Sequence, residues 1–256
     1  MKLQNKALTL VGAFAFLLFS PDPLIASERP GDHLHQAIEH DKKDLPSFTT
    51  HFEWSSRYVT EGRDNLAGEG LSSVMLETEI AGFLFGAWNA HSQGADYQEQ
   101  NYFAEYGFEF LGAEFYVSYI HLQFQSDHAH DNEFGAGIAL PDAFFGLTPA
   151  FDWYCSLEAD GSFFEFSLSR ECEITDRIVL APSVTFGAND GYIADGHNGA
   201  NHLVFQLTAT CQITDAIALE AYLAQSFAID GNPALFADDG SLGDLFYGGV
   251  ALSIEF

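Results

Sequence analysis

The feature that most constrains this chain is a period-two alternation of apolar and polar side chains, repeated from Phe48 to the last residue in runs of about ten residues separated by Gly, Asp and Asn. The final run shows it most plainly. Phe246, Gly248, Val250, Leu252, Ile254 and Phe256 fall on one face, and Tyr247, Gly249, Ala251, Ser253 and Glu255 on the other. Leu203, Phe205, Leu207, Ala209 and Cys211 alternate in the same way with Val204, Gln206, Thr208 and Thr210, and Phe164, Phe166 and Leu168 with Glu165, Ser167 and Ser169. Successive side chains of a strand point to opposite faces of its sheet, so these runs build a sheet that is greasy on one face and wet on the other.

The first residues read differently. Lys2 and Lys6 precede an apolar run from Ala7 to Phe19 that is too short to span a bilayer, and Pro21, Asp22 and Pro23 interrupt it. This is the pattern of a secretory signal peptide over residues 1–26, cleaved near Ala26. A polar segment follows over 27–47, with His33, His35 and His40, and is expected to lie in the periplasm; one domain then covers 48–256. Cleavage takes two lysines and one aspartate from the chain's 9 basic and 37 acidic side chains, leaving a mature net charge of −29. No lysine follows Lys43, and beyond Arg63 only Arg170 and Arg177 are basic apart from histidines. Nucleic acid is thereby excluded as a partner, because neutralising phosphates takes clustered Lys or Arg. Aromatic residues make up 15% of the chain, which separates it from disordered acidic segments.

Twelve strands are expected, near 48–58, 71–80, 82–92, 97–110, 112–124, 132–141, 150–159, 161–171, 176–188, 201–212, 216–228 and 245–256. Alternation by itself fits a soluble barrel with its apolar face inward as well as a membrane barrel with that face toward lipid. The connections decide. Those at Ala81, Leu111, 142–149, 172–175 and 213–215 are mostly tight, whereas those at 59–70, 93–96, 125–131, 189–200 and 229–244 are longer and polar; only the one at Asp160 breaks the rule. Tight turns on one side and long loops on the other are the habit of membrane barrels. The expected fold is therefore all-β, a transmembrane antiparallel up-and-down β-barrel of about twelve strands in the bacterial outer membrane. Cys172-Glu-Ile-Thr-Asp-Arg-Ile178 recurs as Cys211-Gln-Ile-Thr-Asp-Ala-Ile217 at two of the tight turns. These two cysteines, two strands or about 9.6 Å apart, are beyond disulfide reach, so free thiols are expected.

With export, strand phase and a terminal Phe256 in place, residues 48–256 resemble Gram-negative outer-membrane barrel proteins. Their final aromatic strand implies recognition of Phe256 by the barrel assembly machinery. The stretch Trp54-Ser-Ser-Arg-Tyr-Val-Thr-Glu-Gly-Arg-Asp64 is also similar to the opening of a porin-like outer-membrane family, which implies a pore or surface protein and brings no active site.

Projecting the polar faces inward gives a lumen lined by Glu53, Arg57, Glu77, Glu79, Glu105, Glu109, Asp152, Glu158, Glu165, Glu171, Glu220 and Glu255, with only Arg57 and Arg170 opposing the carboxylates. Rings of carboxylates in a low-dielectric wall favour cations. The expected function is a porin-like channel for passive diffusion of small solutes or cations. Carriers of acidic sugars are disfavoured, since their lumens should be basic. The alternatives are a non-conducting structural or surface-binding barrel with a filled lumen, and an outer-membrane lipase or protease. Against an enzyme, His91 and Ser92 adjoin in a strand and so point to opposite faces, and neither a G-x-S-x-G elbow nor an H-E-x-x-H zinc motif occurs. No cofactor is expected. His128 and His130 with Asp127 or Asp131, and the turns at Asp230-Gly-Asn232 and Asp238-Asp-Gly240, offer loose sets of donors for Ca²⁺ or Mg²⁺, and solvated loops or plain turn chemistry account for them more readily. Acidic loops without lysine would meet lipopolysaccharide phosphates only through bridging divalent cations.

Overall fold

The computed structural model describes residues 46–256 except Gln93 and Asp142. The expected signal peptide, and the polar segment up to residue 45, lie outside the described residues. No helix among the described residues is long and apolar enough to cross a membrane; the chain is built of strands.

Twelve of them run β1 (Ser47–Ser55), β2 (Leu71–Ile80), β3 (Phe83–Ser92), β4 (Tyr97–Phe110), β5 (Ala113–Phe124), β6 (Ala129–Ala139), β7 (Thr148–Ser156), β8 (Gly161–Ser169), β9 (Ile178–Asp190), β10 (Gly199–Thr214), β11 (Ile217–Ala228) and β12 (Leu245–Glu255). Strand β8 resumes after a break at Arg170 and Glu171 as Cys172–Thr175, which also pairs with β9. Each strand pairs antiparallel with its neighbours in sequence, and β1 pairs with β12 through Thr49↔Glu255 to Ser55↔Gly249, which closes the barrel. A closed barrel leaves no edge strand with unmet backbone groups, the condition for crossing hydrocarbon.

The tight turns have a local cause. Ala81-Gly82 and Leu111-Gly112 both hold positive φ at the two central positions (52° and 79°, 57° and 78°), the mirror-image turn whose twist matches two flanking antiparallel strands. All turns at this end are short except 140–147, and the opposite end carries the loops 56–70, 93–96, 125–128, 157–160, 191–198 and 229–244.

The two faces are inside out relative to a soluble protein. Phe52, Trp54, Leu76, Phe83, Phe108, Val117, Phe166, Phe205, Leu223 and Phe246 are exposed on the outer wall, while His51, Glu53, Glu77, Asn101, Glu105, Ser118, Gln206 and Thr208 are buried within. A continuous apolar belt of that extent would be an aggregation surface in water, and in a bilayer it is the lipid contact. The three cysteines, Cys155, Cys172 and Cys211, are all free.

One connection departs from the sequence reading. The sequence pattern predicts a long polar connection over 59–70. Instead it carries a two-residue hairpin, Val59–Thr60 against Arg63–Asp64, and folds into the loop end of the lumen. Tyr58 and Leu66 join an internal apolar cluster with Leu71, Met75, Leu84, Trp88, Ala90, Phe103 and Ile120 of β2 to β5. Val59 packs on the opposite wall with Val204, Tyr222, Ala224 and Tyr247 of β10 to β12. The hairpin therefore spans the bore, and its apolar side chains give it a reason to leave water.

Candidate functional site: the acidic lumen and its hairpin

Strand parity decides what faces the bore. The odd-numbered residues of β1 and β2 point inward, which brings Glu53, Glu77 and Glu79 to the inner wall, where all three are buried. Glu105 of β4 and Glu220 of β11 are buried on the same wall, and Asp152 of β7 and Glu165 of β8 are half-buried there. Three other residues assigned to the lumen from sequence stand elsewhere. Arg57 lies in the loop after β1, its side chain 37% exposed, and donates to Asp64 at 2.5 Å. Arg170 is exposed at the break in β8. Glu158 is exposed in the turn after β7, where it accepts from the Asn132 backbone N–H and side-chain amide, each at 2.7 Å. Its hydrogen bond with Asp131, followed by those from Asn132, brings its carboxyl down to about 2. Glu109, by contrast, keeps the inward parity of Glu105 and stands exposed at the tight-turn mouth of the bore, opposite Glu114 in the ladder.

Several inward polar groups escaped the sequence reading although their parity matches that of chosen neighbours. Glu99 lies six residues before Glu105 on the same face of β4, and Glu114 and Glu133 are buried on β5 and β6. Glu99 accepts from Tyr58 of the hairpin at 2.8 Å, from Tyr97, and from Asn101 at 2.8 Å. Burial first, and then the neighbouring Glu99 charge, push the Tyr58 phenol well above its ordinary range, so it serves as a donor. His51 bridges Glu77 at 2.9 Å and Ser253 at 2.8 Å, and Tyr116 donates to Asp152 at 2.8 Å.

Among the described residues the arginine inside the barrel is Arg63, at the hairpin, 2% exposed. Its guanidinium donates to Asn201 at 2.7 Å, to Asp239 at 3.0 Å and to the Glu61 carbonyl at 3.2 Å. Asp239, equally buried, also accepts from the Asn232 N–H at 2.8 Å, the His197 N–H at 3.2 Å and His197 Nδ1 at 2.8 Å. One carboxylate thus gathers donors from three separate loops: 56–70, 191–198 and 229–244. Burial opposes its charge, and the Asn232 and His197 hydrogen bonds outweigh that, holding the Asp239 carboxyl below its ordinary value. Burial likewise lowers Arg63, against the pull of Asp239.

Water reaches the bore unevenly. Beneath the hairpin, Met75 and Phe163 are fully buried. Toward the tight turns, the inner faces of β7 to β9 and β12 are only half-buried at Asp152, Glu165, Ser167, Thr185 and Ser253. Among the described residues no group of three or more His, Cys, Asp or Glu side chains is arranged to hold a metal ion. His91 is exposed on the outer wall and Ser92 buried on the inner one, so the adjacent pair shares no face.

The chain matches no protein-family model. No curated protein matches its sequence. Its fold does match solved structures. The KdgM porin superposes with a TM-score of 0.55 at 8% identity, covering 82% of this chain and 99% of that one. The same porin, solved in complex with disordered oligogalacturonate, gives the same values. The NanC porin superposes with a TM-score of 0.53 at 8% identity, covering 81% and 98%. At this identity the likeness is one of fold: a closed antiparallel β-barrel like that of the two porins.

Proposed function

We propose that the chain is an outer-membrane channel for passive diffusion of small solutes, with preference for cations. The observation that carries this reading is the charge of the inner wall. Glu53, Glu77, Glu79, Glu105, Asp152, Glu165 and Glu220 face inward, and the arginine placed inside among the described residues, Arg63, is held by the loops above them. In a narrow bore with low-dielectric walls, carboxylates raise the local concentration of cations and repel anions. A polyanion such as the oligogalacturonate of the KdgM complex would be repelled by such a wall, so the shared fold would serve solutes of the opposite charge.

Planar bilayers test this. In a tenfold salt gradient an ideally cation-selective pore reverses near about 59 mV. The protein is expected to reverse on the cation side, and Glu53→Gln with Glu220→Gln is expected to move the reversal toward zero. Reversal on the anion side would refute the reading.

A second reading, a non-conducting structural barrel, is favoured by one observation: the bore beneath the hairpin is packed, with Met75 and Phe163 fully buried. Absence of conductance, with or without the hairpin, would select it. A hydrolase would need a nucleophile beside a base, and His91 and Ser92 face opposite sides of the wall.

A further inference from the structure

We propose that the hairpin of residues 56–70 is a gate, latched shut at the loop end of the bore by Asp239 through Arg63 and His197. The proposal rests on the channel reading above and adds a closed state, its lock and the element that moves.

Three observations carry it. First, beyond its base, where Ser56 N–H donates to the Gly248 carbonyl of β12 at 2.8 Å, the hairpin's backbone is tied to other loops, and it meets the wall through the side chains of Glu99 and Asn201. Beyond its own pairing, Asp64 N–H donates to the Ser241 carbonyl at 3.0 Å, Gly243 N–H donates to the Gly62 carbonyl at 3.4 Å, and Arg63 bridges Leu242. An element joined to the wall at its base by one backbone bond, and beyond that only through side chains, can swing out without breaking the barrel ladder. Second, the lock is one group. Asp239 takes four hydrogen bonds from Arg63, His197 and Asn232, so losing its charge releases three loops together. The other charged groups around it are Asp238, which faces Arg63, and Glu61, whose carbonyl accepts from Arg63 and from Asn201; His202 lies beyond Asn201 at 3.0 Å. Third, the apolar seat is divided, with Tyr58 and Leu66 on one wall and Val59 on the other. A permanent plug would be expected to sit on one continuous core.

The test reads motion and conduction separately. In a background with Cys155, Cys172 and Cys211 changed to Ser, Ala90→Cys places a thiol beneath the hairpin, where Ala90 is fully buried beside Tyr58 and Leu66. A positively charged methanethiosulfonate is expected to label it slowly in the latched protein and at least about tenfold faster when Asp239→Asn is added, since a neutral amide leaves the buried Arg63 guanidinium without its charge partner. Replacing residues 57–69 by a short Gly-Ser turn sets the upper limit. Arg63→Gln provides a second unlatched form should Asp239→Asn not assemble, with heat-modifiable gel mobility reporting the folded barrel. Equal labelling of latched and unlatched forms overturns the gate, whatever the conductance. Faster labelling with matching gains in open probability supports gate and channel together. Faster labelling with no conductance in any form keeps the moving hairpin and removes the channel reading.

Discussion

At the scale of single residues, Asp239 governs the most structure for its size. Truncating one partner of a buried ion pair leaves the other uncompensated and typically costs about 3–5 kcal/mol; here Arg63 would lose its carboxylate and keep only the neutral acceptors Asn201 and the Glu61 carbonyl. The direction of its pKa shift fixes how acid acts. A carboxyl lowered by folding contributes stability that is complete above its unfolded value, about 3.9 for Asp, and is lost as the pH falls through the lower folded value. The latch should therefore hold at pH 5 and fail only below about 4. Trp88, packed under Tyr58 in the same cluster, reports this once Trp54 and Trp153 are changed to Phe. Acrylamide quenching is expected to stay flat from pH 7 to about 4 and then rise, and a rise centred at pH 5 or above would contradict the assigned role of Asp239.

At the scale of elements, the strands were legible because alternation survives in every one of them. The twelve expected segments match the twelve observed to within a few residues, since period two is imposed by the backbone and by the two solvents on either side of the wall. The first loop was not legible. A segment that folds inward as a hairpin has no long period to betray it, and its polar letters read as solvent. The same limit explains the exchange of arginines: Arg57 was placed in the bore by extending β1 three residues too far, whereas Arg63 is held there by Asp239, 176 positions away. Glu99, Glu114 and Glu133 were recoverable from parity alone, but no local pattern joins His197, Asn232 and Asp239. The terminal element carries its own expectation. Phe256 donates its N–H to the Phe48 carbonyl at 2.9 Å at the β1–β12 seam, and its ring is exposed. If it is the residue the assembly machinery reads, Phe256→Ala should lower the amount of folded barrel in outer membranes several-fold while leaving refolding in detergent near normal. Equal losses in both would point to the seam contact instead.

At the scale of the whole molecule, the bore is more open along β7 to β9 and β12 toward the tight turns than beneath the loops, with the hairpin at the closed end. An electric potential applied across such a body falls mainly where ions cannot move, so the hairpin lies in the steepest part of the field. Residues 56–70 carry three acidic and two basic side chains, one net negative charge, and a full elementary charge moved through 100 mV is worth about 2.3 kcal/mol. Openings should be more frequent when the loop side is positive, and Glu61→Gln with Glu69→Gln, which makes the segment net positive, should reverse that polarity. The uneven hydration of the bore thus turns a length of connecting chain into a voltmeter, whose sign is written in two glutamates.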